Sequence, residues 1–399
     1  MRIGLMADAY KPHISGITNF MALNKQVMEK LGHEVFIFTF GEMDYIDDEV
    51  NVIRSPGLPL IDTGYYLNFS YSREARKLLH TMDIVHVQHP FLSGSMALRY
   101  CRPRGIPIIF TNHTRYDLYA QAYLPVIADF VGETMIQAFL PSFCRACDLV
   151  VTPSLGMRQV LISLGVDVPI EVIPNGVDLT PFQKITEPVK RTEFGFKSDD
   201  VVLIYAGRLG PEKNLPYLLR AFAGVVEAFD HVNLLIVGDG PERDNLQDQV
   251  KHLGIGSRVH FTGMVPYEDI PRYLMAGDAF VTASVSEVHP LSVIEAMAAS
   301  LPVLGITSPG VGDIVRDGDT GLLSSEDIAA FTAKMVKIVT EHDRRAQMSV
   351  NARKAAEVYD IQRTTRNLLD CYSRVIDQSA SRKRGVRIKI ARFFDKWRS

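Results

Sequence analysis

The chain has 399 residues, more than one hydrophobic core usually serves, so two or three domains of about 130 to 200 residues are expected. A composition of 47% hydrophobic and 22% charged residues excludes a disordered or fibrous protein. The formal charge of −3 hides an asymmetry: residues 380–399 hold eight Lys or Arg against one acid, a tail of +7 that leaves −10 on the rest.

No stretch approaches the ~20 uninterrupted apolar residues of a membrane span, and the run Ile3 to Ala7 is too short for a signal peptide. Four cysteines, Cys101, Cys144, Cys147 and Cys371, cannot frame so long a chain and point to a reducing cytosol. Cys144 and Cys147 form a lone C-x-x-C without a second pair or histidines at ligand spacing. They read as two small apolar residues on one helical face rather than a zinc or redox site.

In chain order, short β-branched runs alternate with longer amphipathic segments: Ile3 to Ala7, Val35 to Phe40, Ile84 to Val87, Ile106 to Thr111 and Leu149 to Thr152. This is the βαβ pattern of a parallel sheet covered on both faces. Ile170 to Pro174 leads into Asn175-Gly176, and a second series follows with Val201 to Ala206, Leu234 to Val237, Val259 to Thr262, Phe280 to Ala283 and Val303 to Gly305. Two doubly wound α/β domains are expected, with residues 1–174 as the first and 175–362 as the second. Residues 363–380 are expected to form a helix crossing back to the first domain, and residues 381–399 a basic amphipathic tail.

In such sheets ligands bind outside the carboxyl ends of the strands, so the residues just after each run matter most. Gly16, Gln88 to Pro90, Asn112 to Tyr116, Gly207 to Asn214, Gly238 to Gly240 and Ser284 to Pro290 fall there, and a cleft between two domains would gather them. His113 opens a segment in which Tyr116, Tyr119 and Tyr123 recur at helical spacing. Their shared face could hold a substrate with polar and apolar parts, or could pack beneath the site.

Gly207 to Asn214 follows a strand and opens a helix, and its Arg208 and Lys213 suit a diphosphate at a helix amino terminus. Glu287 lies in the loop after Phe280 to Ala283, and Glu295 about one turn into the next helix, a spacing that can bridge hydroxyls of one polyhydroxylated ligand. Asp317-Gly318-Asp319 reads as a turn rather than a metal site. Gly238-Asp239-Gly240 only half matches a dinucleotide fingerprint. GxSxG, HExxH and GxxxxGK[ST] segments are missing, which counts against hydrolase, zincin and P-loop readings.

Within the tail, Val386, Ile390, Phe393, Phe394 and Trp397 form an apolar stripe flanked by basic residues. Such a helix suits an anionic bilayer surface; packing on the protein's own surface and a macromolecular partner are the other readings. The acidic body of the chain would repel nucleic acid, so no nucleic-acid partner is expected.

Taken together, Gly207 to Asn214, Gly238 to Arg243, and Glu287 with Glu295 inside Glu287 to Ala296 resemble the retaining glycosyltransferases of the GT-B fold known as family 4, with two Rossmann-like domains facing across a cleft. Asn175 to Asp178 and Gly16 fit the same resemblance, which covers nearly the whole chain. It implies that Arg208 and Lys213 bind the donor diphosphate, Glu295 the ribose and Glu287 the sugar hydroxyls. His113 is implied at the reaction centre, which makes His113, Glu287, Arg208 and Lys213 the catalytic set. Gly16, Gly238, Val265, His289, Leu291 and Ser292 complete the implied donor site, and His113, Tyr116, Tyr119 and Tyr123 the acceptor site.

The resemblance also implies no metal and no cofactor beyond the nucleotide sugar, since cations and helix dipoles stabilise the leaving group. Pro290 stands where the family usually has glycine, and proline offers no N–H to a phosphate. The segment from His113 to Tyr119 is similar to one in bacterial diacylglycerol glucosyltransferases, which are monotopic membrane enzymes. The expected activity is transfer of glucose from UDP-glucose to the 3-hydroxyl of diacylglycerol, at the cytoplasmic face of the cell membrane, with residues 381–399 on the anionic surface. Alternatives are a UDP- or GDP-dependent hexosyltransferase acting on a phosphatidylinositol, sugar or polysaccharide acceptor, a nucleotide-sugar isomerase, and a non-catalytic nucleotide-sugar-binding protein.

Overall fold

The structure, a computed structural model, describes residues 1–13, 15–60, 65–116, 118, 129–184 and 187–396, with the side chains of 129–137 and 382–396 outside that description. The chain divides into two compact units. The first comprises residues 1–153, 158–174 and 362–399, and the second 154–157 and 175–361.

In the first unit, strands β1 (Arg2–Met6), β2 (Glu34–Phe40), β3 (Val52–Ser55), β6 (Ile84–Val87), β7 (Ile108–Thr111), β8 (Leu149–Thr152) and β9 (Ile170–Val172) form a sheet in the order β3-β2-β1-β6-β7-β8-β9. Every pairing in it is parallel. A two-residue antiparallel pair, β4 (Leu58–Pro59) with β5 (Tyr66–Leu67), stands apart. Crossovers leave β1 toward both edges of the sheet, so β1 and β6 flank its topological switch point, where open α/β sheets hold ligands.

The helix Ile361–Lys396 supplies Leu368, Leu369, Tyr372 and Val375 to the same core as Ile3, Leu5 and Ile84. Residues 363–396 thus run on as one helix, with the side chains of the stripe from Val386 to Phe394, and the whole of Trp397, outside the described residues. Tyr372 also reaches a polar group in that core. Its hydroxyl lies 2.6 Å from His86 Nδ1, while His86 Nε2 lies 2.6 Å from Thr111 Oγ1. Burial pushes the His86 pKa down to about 3, so the ring is neutral and one hydroxyl donates to it while the other accepts.

The second unit repeats the plan with β10 (Val201–Ala206), β11 (Val232–Val237), β12 (Val259–Phe261), β13 (Ala279–Thr282), β14 (Val303–Ile306) and β15 (Gly321–Ser324), ordered β12-β11-β10-β13-β14-β15 and parallel throughout. Side chains alternate across a strand, and β10 uses both faces. Val201, Leu203 and Tyr205 join Leu218 and Phe222 of the helix Leu215–Val226, while Val202, Ile204 and Ala206 join Val293, Ile294 and Met297 of the helix Leu291–Ala298. The switch point here lies between β10 and β13.

The two doubly wound sheets agree with the sequence expectation, and most strands fall on the apolar runs. The structure adds β3 and β15. Three residues of β3 are only half-buried and Arg54 interrupts it, so no apolar run marked it. Among the described residues no helix is long and apolar enough to cross a membrane.

Candidate functional site

At the second unit's switch point two loops are laced together. Ser284 Oγ and Ser286 Oγ, after β13, donate to the Glu212 carbonyl at 3.0 and 3.3 Å, and Asn214 Nδ2 donates back to the Ala283 carbonyl at 3.3 Å. Beyond them the Gly310 amide donates to the Glu287 carbonyl at 3.1 Å. With both backbones held, Lys213 Nζ meets Glu287 Oε1 at 2.7 Å, each side chain about one fifth exposed at 23% and 19%. Burial works against the Lys213 charge, but Glu287, Tyr205 and the Lys213–Glu287 hydrogen bond outweigh it and raise its pKa.

Arg208, more exposed, pairs with Glu212 at 3.0 Å. Gly238, at a φ of 130°, packs backbone to backbone on this loop: a Cβ there would strike the Gly207 carbonyl. Arg243 closes the next turn with a 2.6 Å pair to Asp239.

The helix Leu291–Ala298 begins after Pro290 with no side-chain cap on its first amides. Proline at the N-cap leaves the amides of Leu291 and Ser292 in place. Glu295, buried on this helix, accepts a 2.8 Å hydrogen bond from the Tyr267 hydroxyl. Burial raises its pKa, and the tyrosine partly offsets that. Val265 and Leu291 pack against the adjoining core. His289 points elsewhere: its ring is buried edge-on against Tyr359 at 5.3 Å, and burial pushes its pKa down to about 3. Lys213, Glu287 and Arg208 thus share one place and Glu295 lies on the helix following it, whereas the His289 ring is in the interior.

In the first unit, His113 follows β7. Its Nε2 lies 2.8 Å from Gln88 Oε1, and its ring packs on Phe20 with centroids 4.7 Å apart. Gln88 Nε2 donates to the His86 carbonyl at 3.2 Å, which orients the amide oxygen toward His113 and places the proton on His113 Nε2. Tyr116 is buried with its ring edge-on to Phe91. Tyr119 and Tyr123 lie outside the described residues. Gly16 starts the helix Gly16–Lys30 behind the Ser15 cap, and a Cβ there would meet no atom within 4 Å, so a ligand can approach its backbone.

Two residues escaped the sequence reading. Tyr267 lies two residues after Val265 of the implied donor site, and Gln88 was marked only as a strand-end residue; in both cases the signal was position alone. The remaining motifs are structural. Asp317 accepts from the Leu323 amide at 2.8 Å, and Asp319 pairs with Arg316 at 2.7 Å. Cys144 and Cys147 are free thiols with pKa values raised by burial, that of Cys144 to about 12. Among the described residues no three His, Cys, Asp or Glu side chains gather as metal ligands would.

Two family profiles match the chain: Glycosyltransferase Family 4 over residues 14–181 and Glycosyl transferases group 1 over residues 186–355. An alpha-monoglucosyldiacylglycerol synthase of Streptococcus pneumoniae is 33% identical over 333 residues, covering 81% of this chain and 75% of the relative. One from Acholeplasma laidlawii is 28% identical over 340 residues, covering 82% and 85%. Among solved structures, Anabaena HepE in complex with UDP and glucose superposes with a TM-score of 0.74 at 18% identity, covering 94% of this chain and 99% of that one.

Proposed function

The chain belongs to the glycosyltransferases of family 4 and has their GT-B fold, and from that premise we propose that it moves glucose from UDP-glucose to the 3-hydroxyl of 1,2-diacylglycerol with retention of anomeric configuration. The observation that carries the reading is the Lys213–Glu287 pair at the β10/β13 switch point. A dianionic diphosphate competes with Glu287 for Lys213 and recruits Arg208 from Glu212. Glu287, released, accepts hydrogen bonds from the sugar hydroxyls. Glu295 takes the ribose diol, and the amides of Leu291 and Ser292 face the phosphates.

The acceptor oxygen attacks the anomeric carbon on the face from which the diphosphate departs. The carbon–oxygen bond to phosphate breaks as the new glycosidic bond forms, and the acceptor proton passes to the departing phosphate oxygen. Lys213, Arg208 and the helix amino terminus stabilise the charge that develops there, so the reaction needs no metal. From the first unit we assign His113 to the reaction centre and Gly16 to the approach of the phosphates and acceptor. The basic helix beyond residue 381 holds the enzyme peripherally on the anionic cytoplasmic face of the membrane. The relatives from Streptococcus and Acholeplasma support the lipid acceptor, and the HepE complex supports a UDP-sugar donor.

Mass spectrometry tests the reading. The purified protein is incubated separately with UDP-glucose, UDP-galactose and GDP-mannose over vesicles of diacylglycerol and an anionic phospholipid. A hexosyl-diacylglycerol from UDP-glucose alone is the expected product. Donor consumption without glycolipid would remove the lipid acceptor and leave the donor site standing.

A further inference from the structure

The first unit's switch point holds a histidine that the mechanism above does not use. His89 follows the end of β6 and is 2% exposed. Its Nδ1 lies 3.2 Å from the Asp8 amide. A peptide N–H can only donate, so Nδ1 is a bare lone pair. Burial lowers the His89 pKa, with Asp8 opposing, and the neutral ring carries its single proton on Nε2.

The residue is held from several sides. Its carbonyl accepts the Ser93 hydroxyl and the Gly94 amide, both at 3.0 Å. The Asp8 carboxylate accepts the Ser93 amide at 2.7 Å and the Leu92 amide at 3.4 Å, tying the same loop to the helix Leu92–Tyr100. Tyr65 stands edge-on to the imidazole at 6.1 Å. Yet among the described residues the buried Nε2–H has no hydrogen-bond partner, a state that costs about 1–3 kcal/mol. Asn112 Oδ1, just past β7, and Thr152 Oγ1, at the end of β8, are likewise buried without a hydrogen-bond partner. All three lie at the carboxyl edge of neighbouring strands.

We propose that His89 is an acceptor-binding residue, its Nε2–H donating to an uncharged oxygen of the acceptor, a hydroxyl or an ester carbonyl. The inference rests on the glycosyltransferase reading and narrows it. Asp8 places its carboxylate beside the same imidazole, so an anionic phosphate at this donor would be repelled, whereas an uncharged acylglycerol oxygen would not. An immobilised donor that is already desolvated binds such an oxygen with little ordering cost.

The test uses the full chain and two variants. His89→Asn keeps an oxygen for the Asp8 amide but has no donor at the Nε2 position; His89→Gln places an amide N–H near that position and gives up the Asp8 contact. With dioctanoylglycerol in mixed micelles and saturating UDP-glucose, His89→Asn is expected to lower kcat/KM for the acceptor about tenfold to a hundredfold, while acceptor-free UDP-glucose hydrolysis stays within about twofold. His89→Gln is expected to recover transfer to within about threefold of wild type. Wild-type kinetics in both variants would mean that water satisfies His89, and parallel loss of transfer and hydrolysis would mean a purely structural role; either overturns the inference while leaving the diacylglycerol reading intact. Wild-type transfer to phosphatidylinositol and not to dioctanoylglycerol would overturn the diacylglycerol reading, and the same variant pattern on phosphatidylinositol would decide for or against His89. If the wild type glucosylates only free glucose, the diacylglycerol reading alone falls, and the same variant pattern on glucose decides for or against His89.

Discussion

At the ends of β10 and β13 the second unit sets Lys213 against Glu287 at 2.7 Å and Arg208 against Glu212 at 3.0 Å, charges paired with one another and partly open to solvent. At the ends of β1, β6 and β7 the first unit sets Asp8, Gln88, His89 and His113, whose described hydrogen bonds run to backbone groups and to each other. The topology at the two places is the same. The side chains differ as the proposed ligands do: exchangeable ion pairs suit a dianion that can displace one partner, whereas a fixed neutral donor suits an oxygen that brings no charge.

The largest break in this comparison comes from Lys213. Replacing it with alanine removes the cation for the departing diphosphate and is expected to lower kcat by about 10²- to 10³-fold or more in single-turnover transfer assays. Glu295→Gln weakens acceptance of the ribose diol and is expected to raise the donor KM about tenfold with kcat changed less, read from initial rates against UDP-glucose.

Deleting residues 381–399 sharpens the acceptor side, because among the described residues the last of that helix in the buried core is Val375, with Ile376 packed against it. Activity on anionic vesicles should fall about tenfold, and acceptor-free hydrolysis much less, given about 1 kcal/mol of membrane attraction per basic residue. Equal loss of both would point to a folding role for the tail. The smallest effect is expected at Tyr372→Phe, which strips a buried hydroxyl from His86. Urea unfolding should show a loss of about 1–3 kcal/mol, with donor kinetics unchanged.

Much of this fold is visible in the sequence because the central strands are buried on both faces. Such strands read as continuous runs such as Val201 to Ala206 and need no alternation to be found. Edge strands lack that signature: β3 contains Arg54, and β15 offers only Leu322 and Leu323. In the site, strand-end position marks Lys213 and Glu287, spacing into the next helix adds Glu295, and the family resemblance supplies their implied roles. Their partners are not visible, since Lys213 and Glu287 are 74 residues apart and Glu295 finds Tyr267 across 28. The Nε2–H of His89 is less visible still. It is known to be a donor only because the Asp8 amide, 81 residues away, occupies the other ring nitrogen.

The central claim is that Lys213 is held in reserve by Glu287 for the donor diphosphate. Calorimetric titration of UDP into wild type, Lys213→Ala and Glu287→Gln tests it directly, because the two halves of the pair should move affinity in opposite directions. Lys213→Ala should weaken UDP binding by about tenfold or more, whereas Glu287→Gln should bind UDP at least as tightly as wild type while transferring almost no sugar. If Glu287→Gln instead weakened UDP as much as Lys213→Ala, the pair would be a structural unit and the account would be contradicted.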